Sequence, residues 1–402
     1  MKILMVHNHY LHRGGEDEVV GAEKSLLEQF GHKVIFYERS NKEMEAMPLY
    51  RKLRSVSRDV YWSENVYREI RQLIKEEKPD IAHIHNTLLM VSPSVYEACA
   101  GENLAVVQTL HNYRFLCPIG IFYRQGKVCE ECFLHGTHRA VVNKCWQDSY
   151  LASFMLVNII KKMKESSVFK NNTIHFIVLS EFSRRKFLDN GFTQNQISVK
   201  PNFFNLDPGY FEEEGDYALF VGRLSDEKGI ITLVKAWAQL KGGVRLKIVG
   251  DGPLKEEVQS YTSGTLIEIL GQKSLPDTWE LLKKAMFVII PSNCYETFSR
   301  SAMEALIAGV PVILSDIGAL REFVREQDVG VLFPSGNIEK LREKIKNLIE
   351  DSHLRKRMRK NVREMDKSKF SRDKNYEMLM AIYNKVIDAH SQHEASRGSS
   401  LI

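Results

Sequence analysis

Strand-like and helical segments alternate along the whole chain, which predicts an α/β protein built on parallel sheets. Three observations carry that expectation. The chain opens with an apolar run, Lys2 to His7, which leads through a glycine loop into a helix pattern that ends at Phe30 with Gly31 behind it. The same strand, turn and helix order restarts at Tyr217, after an acidic stretch from Leu206 to Asp216 that contains Pro and Gly and reads as a linker. And 402 residues are too many for one ordinary domain but comfortable for two.

Within the first half, His32 to Phe36 reads as a second strand and Ile81 to His85, just after Lys-Pro-Asp, as a third. Val106 to Asn112 is a further strand running into a loop, and His175 to Ser180 and the segment from Val199 follow. Gly14-Gly15 in the first loop would let backbone approach a ligand, or could form a plain turn. It is not G-x-G-x-x-G, so dinucleotide binding has little support. His111 stands at a strand's carboxyl end, where open α/β sheets gather ligands. His83 and His85 also end a strand, and alternation puts both on one face; they read as structural or acceptor-side groups.

Hydrophobic residues make up 44%, enough for each half to bury a core. Lys and Arg exceed Asp and Glu by 56 to 51, a formal net charge of +5. That suits anionic ligands or an anionic membrane surface without requiring either. No nucleic-acid-binding motif accompanies the charge. The first apolar run is too short for a signal peptide and no run is long enough to span a bilayer, so a cytoplasmic protein, soluble or at the inner face of the membrane, is expected.

The chemistry concentrates in the second half. The apolar run Met286 to Ile290 is ended by Pro291, and a helix pattern opens near Phe298 and stops at Gly309. Glu296 and Glu304 bracket that opening, with the amides of Thr297, Phe298 and Ser299 between them. A helix N-terminus favours an anion, because its unpaired N–H groups and its dipole both point there. The two acids would then serve hydroxyls. Upstream, Ala218 to Gly229 forms a strand, a glycine turn at Gly222 and a helix start. Arg223 and Lys228 are spaced to return to one point over the turn and hold a diphosphate, the Arg by a fork and the Lys as a point charge.

Glu296 and Glu304, with seven residues between them and Ala-Gly-Val-Pro-Val following, resemble the E-x7-E motif of the retaining GT-B glycosyltransferases of family GT4. Val221-Gly-Arg-Leu-Ser-Asp-Glu-Lys-Gly229 is similar to that family's V-G-R-x-x-x-x-K-G segment, and Ile248-Val-Gly-Asp-Gly-Pro253 to its I-V-G-x-G-P. The resemblance implies two Rossmann-like domains facing across a cleft: an acceptor domain over 1–205, a nucleotide-sugar donor domain over 206–370, a terminal helix over 371–390 returning to the first domain, and a disordered tail over 391–402. It implies that Glu296 meets the transferred sugar's hydroxyls, Glu304 the ribose, Gly271-Gln272 the base, His111 the sugar, and Gly14-Gly15 the donor phosphates. It also implies a nucleoside-diphosphate sugar donor, retention of anomeric configuration, and no catalytic metal; Asp-x-Asp does not occur. Where many members have Glu-Gly-Phe-Gly, this chain has Glu296-Thr-Phe-Ser299, which brings a hydroxyl and a Cβ toward the sugar pocket. The acceptor is expected to be a saccharide or lipid-linked saccharide of bacterial surface polysaccharide assembly. A nucleotide-sugar epimerase and a non-catalytic nucleotide-sugar-binding subunit are the rival classes.

Two further stretches stand out. Four of the six cysteines, Cys117, Cys129, Cys132 and Cys145, fall within 117–145, an arrangement compatible with a structural zinc clasp or with reduced, partly buried thiols. Leu151 to Phe169 combines an apolar block with Lys161, Lys162 and Lys164; it suits either a membrane interface or a buried core helix.

Overall fold

The computed structural model describes residues 1–399 apart from 12–13, 49, 52–54, 172, 205–208, 210–213, 241–242 and 325–327. The expected linker falls largely outside the described residues. The chain divides into two compact units: the first comprises Met1–Gly120, Glu131–Phe203 and the chain from Arg372, and the second Ile121–Glu130 and Phe204–Ser371.

The first unit contains strands β1 (Lys2–His9), β2 (Lys33–Ser40), β3 (Ile81–Ile84) and β4 (Val106–Thr109). The short hairpin strands β5 (Tyr123–Arg124) and β6 (Lys127–Val128) come next in the chain, then β7 (Ile174–Val178) and β8 (Ile197–Val199). Its six-stranded parallel sheet runs β2-β1-β3-β4-β7-β8. β1, β3, β4 and β7 are buried almost throughout because helices cover both faces of a parallel sheet, although β1 and β4 carry polar residues as well as apolar ones. One face packs Ile3, Met5, Val20 and Leu27 against Leu379, Ile382 and Tyr383 of the terminal helix.

That terminal helix spans Arg372–Ser399, longer than the 371–390 expected, so residues 391–399 continue it where a disordered tail was anticipated. Ser391 to Ala395 contain no Gly or Pro, and polarity alone does not end a helix.

The second unit holds β9 (Tyr217–Val221), β10 (Arg245–Val249), β11 (Ile267–Gly271), β12 (Ala285–Ile290), β13 (Val312–Ser315) and β14 (Gly330–Phe333). They form a parallel sheet in the order β11-β10-β9-β12-β13-β14. Strand order reverses beside β9, so β9 and β12 flank a switch point, and in such sheets the crevice beyond the strand ends takes the ligand. In the first unit the corresponding place lies between β1 and β3.

The cysteine-rich insertion is divided, and this corrects the expected continuous first domain. Residues Ile121–Glu130 belong with the second unit, where the Phe122 ring lies 5.5 Å from that of Tyr295 and the Tyr123 hydroxyl donates to Asp226.

The turn after β9 depends on Gly229. It sits at φ +69, and a Cβ there would stand 1.8 Å from the Pro291 carbonyl oxygen. Gly14, by contrast, has φ −132 and open space where a Cβ would go. Gly229→Ala is therefore expected to lower the urea midpoint by the equivalent of at least about 2 kcal/mol, combining left-handed strain and a backbone clash. Gly14→Ala should cost under about 1 kcal/mol, the difference between the two residues at a helix N-cap.

Candidate active site

The second unit brings together residues far apart in sequence. Asn293 N–H donates to the Glu227 carbonyl at 2.8 Å, and Gly229 lies against Pro291, so the loops after β9 and β12 are stitched side by side. Lys228 Nζ consequently donates to Glu296 Oε1 at 2.8 Å, and the Ser292 hydroxyl donates to the same oxygen. The Glu296 side chain is 8% exposed and that of Lys228 34%. Burial would raise the Glu296 carboxyl, but Lys228, Ser292 and Ser299 overcome it and hold it below its ordinary value. Burial likewise opposes the Lys228 ammonium, and Glu296 drives its pKa upward instead. Both groups are charged at neutral pH.

Arg223 follows β9 through Gly222 and is exposed; its carbonyl accepts from Ser225 N–H at 3.0 Å, while its side chain makes no hydrogen bond or ion pair among the described residues. It is a cation with its donors in hand. The expected helix begins slightly later than its pattern suggested: it spans Arg300–Ile307 with Ser299 as N-cap, the Ser299 hydroxyl accepting from Ala302 N–H. The first-turn amides are thus those after Ser299, not those of Thr297 to Ser299. Ser299 caps a helix and faces Glu296, so its hydroxyl has structural work beyond any ligand. Phe298 is partly buried and packs its ring against the core, 5.4 Å from Phe323 and 6.0 Å from Phe370. Thr297 is buried. Glu304 is buried in the helix and accepts from Arg300 at 3.2 Å. Gly271 ends β11 at φ +68, its carbonyl taking the Gly250 N–H, and Gln272 beyond it is exposed.

In the first unit, Gly14 and Gly15 open the helix Gly15–Gln29. Asp17 organises the loop: one oxygen accepts from Gly14 N–H at 2.9 Å, the other lies 2.9 Å from His7 Nε2 and 2.8 Å from His9 Nδ1. Sequence reasoning missed this cluster, although β-strand alternation places His7 and His9 on one side. It missed Glu23 and Lys200 too. Glu23 Oε2 accepts from Lys200 Nζ at 2.8 Å, with both side chains at most 2% exposed. The signal for Glu23 was a carboxylate on the apolar stripe Val20, Glu23, Leu27. His83 and His85 are buried beside it, and His111, partly buried, reaches His85 at 3.0 Å. A partly open pocket lies beside His85, His111, Asn112 and Arg114.

Cys117 is buried and Cys129, Cys132 and Cys145 are partly so. Among the described residues, the groups with three ligand atoms within 4.8 Å of one another are His7, His9, Asp17 and Glu23, His83, His85; neither contains a cysteine. The zinc clasp rests on spacing alone.

Comparison with known proteins agrees with the fold. The family described as Glycosyl transferases group 1 matches residues 205–365, and Glycosyltransferase Family 4 matches residues 14–208. An uncharacterized glycosyltransferase of Methanocaldococcus jannaschii is 25% identical over 96% of this chain and 99% of its own. A glycosyltransferase structure from Rickettsia africae superposes with a TM-score of 0.69 at 19% identity, over 96% of this chain and 98% of that one. HepE of Anabaena in complex with UDP superposes with a TM-score of 0.66 at 18% identity, over 96% and 100%. The chain belongs to the group-1, family-4 glycosyltransferases of GT-B fold. It is a glycosyltransferase.

Burial lowers four histidines of the first unit: His83 and His175 to about 4, His111 to about 3, and His85 well below its ordinary value. Their folded values lie below the unfolded value of 6.5, so the unfolded chain takes protons first as pH falls. Their contribution to stability is whole above pH 6.5 and is lost on acidification toward about 4. Urea midpoints should fall by on the order of 1 kcal/mol per pH unit per histidine over that window, and more shallowly in His175→Gln, which removes one of them away from the site.

Proposed function

We propose that this protein transfers a sugar, with retention of anomeric configuration and without a metal in the transfer step, from a nucleoside-diphosphate sugar to a saccharide or lipid-linked saccharide. The observation that carries the reading is the Lys228–Glu296 pair beside an unpartnered Arg223 at the switch point of a parallel sheet. Lys228 has three N–H donors and uses one on Glu296, so two remain for phosphate oxygens. Glu296 holds the ammonium in place before the donor arrives. Arg223 adds a fork, and the helix beginning at Arg300 adds its dipole. Together these offset the charge that builds on the departing diphosphate, an electrostatic contribution realised mainly in the transition state. Gly271 lies two strands from β9, roughly 10 Å across the sheet, a separation a nucleoside diphosphate bridges. Glu296 then serves the sugar and Glu304 the ribose.

The base is proposed to be uracil, supported by the UDP bound to HepE, which shares this fold. The lipid-linked alternative gains support from exposed apolar side chains on consecutive helices of the first unit: Leu134, Val142, Tyr150, Leu151 and Phe154, with Lys144 over the Tyr150 ring. The helix Tyr150–Lys164 buries Leu156, Ile159, Ile160 and Met163 against the core while its first turns present Tyr150, Leu151 and Phe154 outward. Such a patch suits the interfacial layer of a membrane. Among the described residues no helix is long and apolar enough to cross one.

Thermal melts with UDP, GDP, TDP and ADP and their sugars test the donor assignment. UDP species at about 100-fold over Kd should add about 2.7 kcal/mol, and Arg223→Ala, which breaks no internal contact, should abolish the shift without lowering the ligand-free melting temperature. A shift that survives in Arg223→Ala contradicts the clamp, and donor consumed without acceptor would indicate an epimerase. For the membrane contact, Leu151→Ser with Phe154→Ser should release the protein from anionic vesicles in a flotation assay while donor binding persists.

A further inference from the structure

The buried polar groups of the first unit form a chain with a direction. Lys200 Nζ donates to Glu23 Oε2 at 2.8 Å and to Asn375 Oδ1 at 2.9 Å. The other oxygen, Glu23 Oε1, faces His85 Nε2 at 3.5 Å, and neither atom has a well-aligned hydrogen bond elsewhere. His83 Nδ1 also approaches Glu23 Oε1, at 3.2 Å, but is engaged by the Tyr383 hydroxyl at 2.6 Å. On its far side, His85 Nδ1 lies 3.0 Å from His111 Nε2.

We propose that Glu23 and His85 are positioning residues that fix His111 in the tautomer protonated on Nε2, leaving Nδ1 as a hydrogen-bond acceptor. The inference deepens, and rests on, the assignment of His111 to the donor's sugar.

A carboxylate offers only lone pairs. If His85 Nε2 were bare, two buried acceptors would face each other unsatisfied, whereas a proton on Nε2 serves both. A neutral imidazole carries one proton, so His85 Nδ1 must be the acceptor, and the proton between the two rings belongs to His111 Nε2. Burial keeps His85 and His111 neutral, aided by their histidine neighbours and Lys200, against the pull of Glu23 on His111. Burial alone would raise Glu23, but Lys200 and His83 hold it below its ordinary value, so the charge that sets the direction is present. The consequence is chemical selectivity. A neutral ring whose Nδ1 accepts can take a hydrogen bond from a sugar hydroxyl but not from an ionised phosphate oxygen, which has no proton to give.

Histidine-selective nitrogen-15 labelling of the full chain at neutral pH, without substrate, reads the tautomers directly; the His111 signals are those lost in His111→Gln. The wild type should show a protonated, pyrrole-like Nε2 and a pyridine-like Nδ1 at His111. In Glu23→Gln, Lys200 draws the amide oxygen to its side and turns the amide NH2 toward His85, so both His85 and His111 should reverse. A wild-type His111 protonated on Nδ1 overturns the proposal whether or not the variant folds. So does an unchanged tautomer in a Glu23→Gln protein whose circular dichroism and melting are cooperative. Transfer assays form a separate arm: a fall of about tenfold or more in kcat/KM for Glu23→Gln is expected. The expected tautomers with unchanged transfer would uphold the relay and count against the placement of His111 on the sugar.

Discussion

The donor-side account depends on one close approach, that of Gly229 to the carbonyl of Pro291. Only a residue without a side chain lets the turn after β9 lie against the end of β12, and only that contact puts Lys228 on Glu296 across 68 positions of sequence. The pair itself is an electrostatic compromise. A carboxylate this buried would shed its charge without a cation beside it, and an ammonium this shielded would deprotonate more readily without an anion. Each keeps the other ionised, so the site holds an oriented cation before any phosphate enters. Preorganisation of this kind avoids rearranging solvent and side chains while the donor bond breaks.

The first unit solves a related problem by different means. Its switch point is lined by histidines made neutral by burial, with one lysine–glutamate pair beneath them and Tyr383 and Asn375 of the terminal helix joining the network. Buried polar groups are tolerated there because most have partners; Glu23 Oε1 and His85 Nε2, which face each other at 3.5 Å, are among the few that do not. That helix supplies apolar packing through Leu379 and Ile382 and polar support through the other two, so its loss would disturb both core and network.

Much of this was legible in sequence because parallel sheets leave strong traces. Fully buried strands such as Ala285–Ile290 are continuous apolar runs, and Pro and Gly mark where they stop. The motif residues Arg223, Lys228, Glu296 and Glu304 are close in sequence to such stops, so their shared neighbourhood could be read from pattern. Contacts between distant segments could not. Glu23 and Lys200 are separated by 177 residues, and nothing local to either announces the other. The division of the cysteine-rich insertion depends on Phe122 and Tyr123 meeting Tyr295 and Asp226, which is tertiary information. The surroundings of Phe298 and Ser299 are tertiary information too: the Phe298 ring packs beside Phe323 and Phe370, and the Ser299 hydroxyl caps a helix.

The most direct test of the central claim is a crystal structure of the protein with UDP bound. The account predicts both phosphates within hydrogen-bond reach of Arg223 and Lys228, beside the first turn of the helix at Arg300, with the uracil toward Gly271. Phosphates held at Gly14 and Gly15 with Arg223 and Lys228 uninvolved would contradict it, and with it the role given to the Lys228–Glu296 pair.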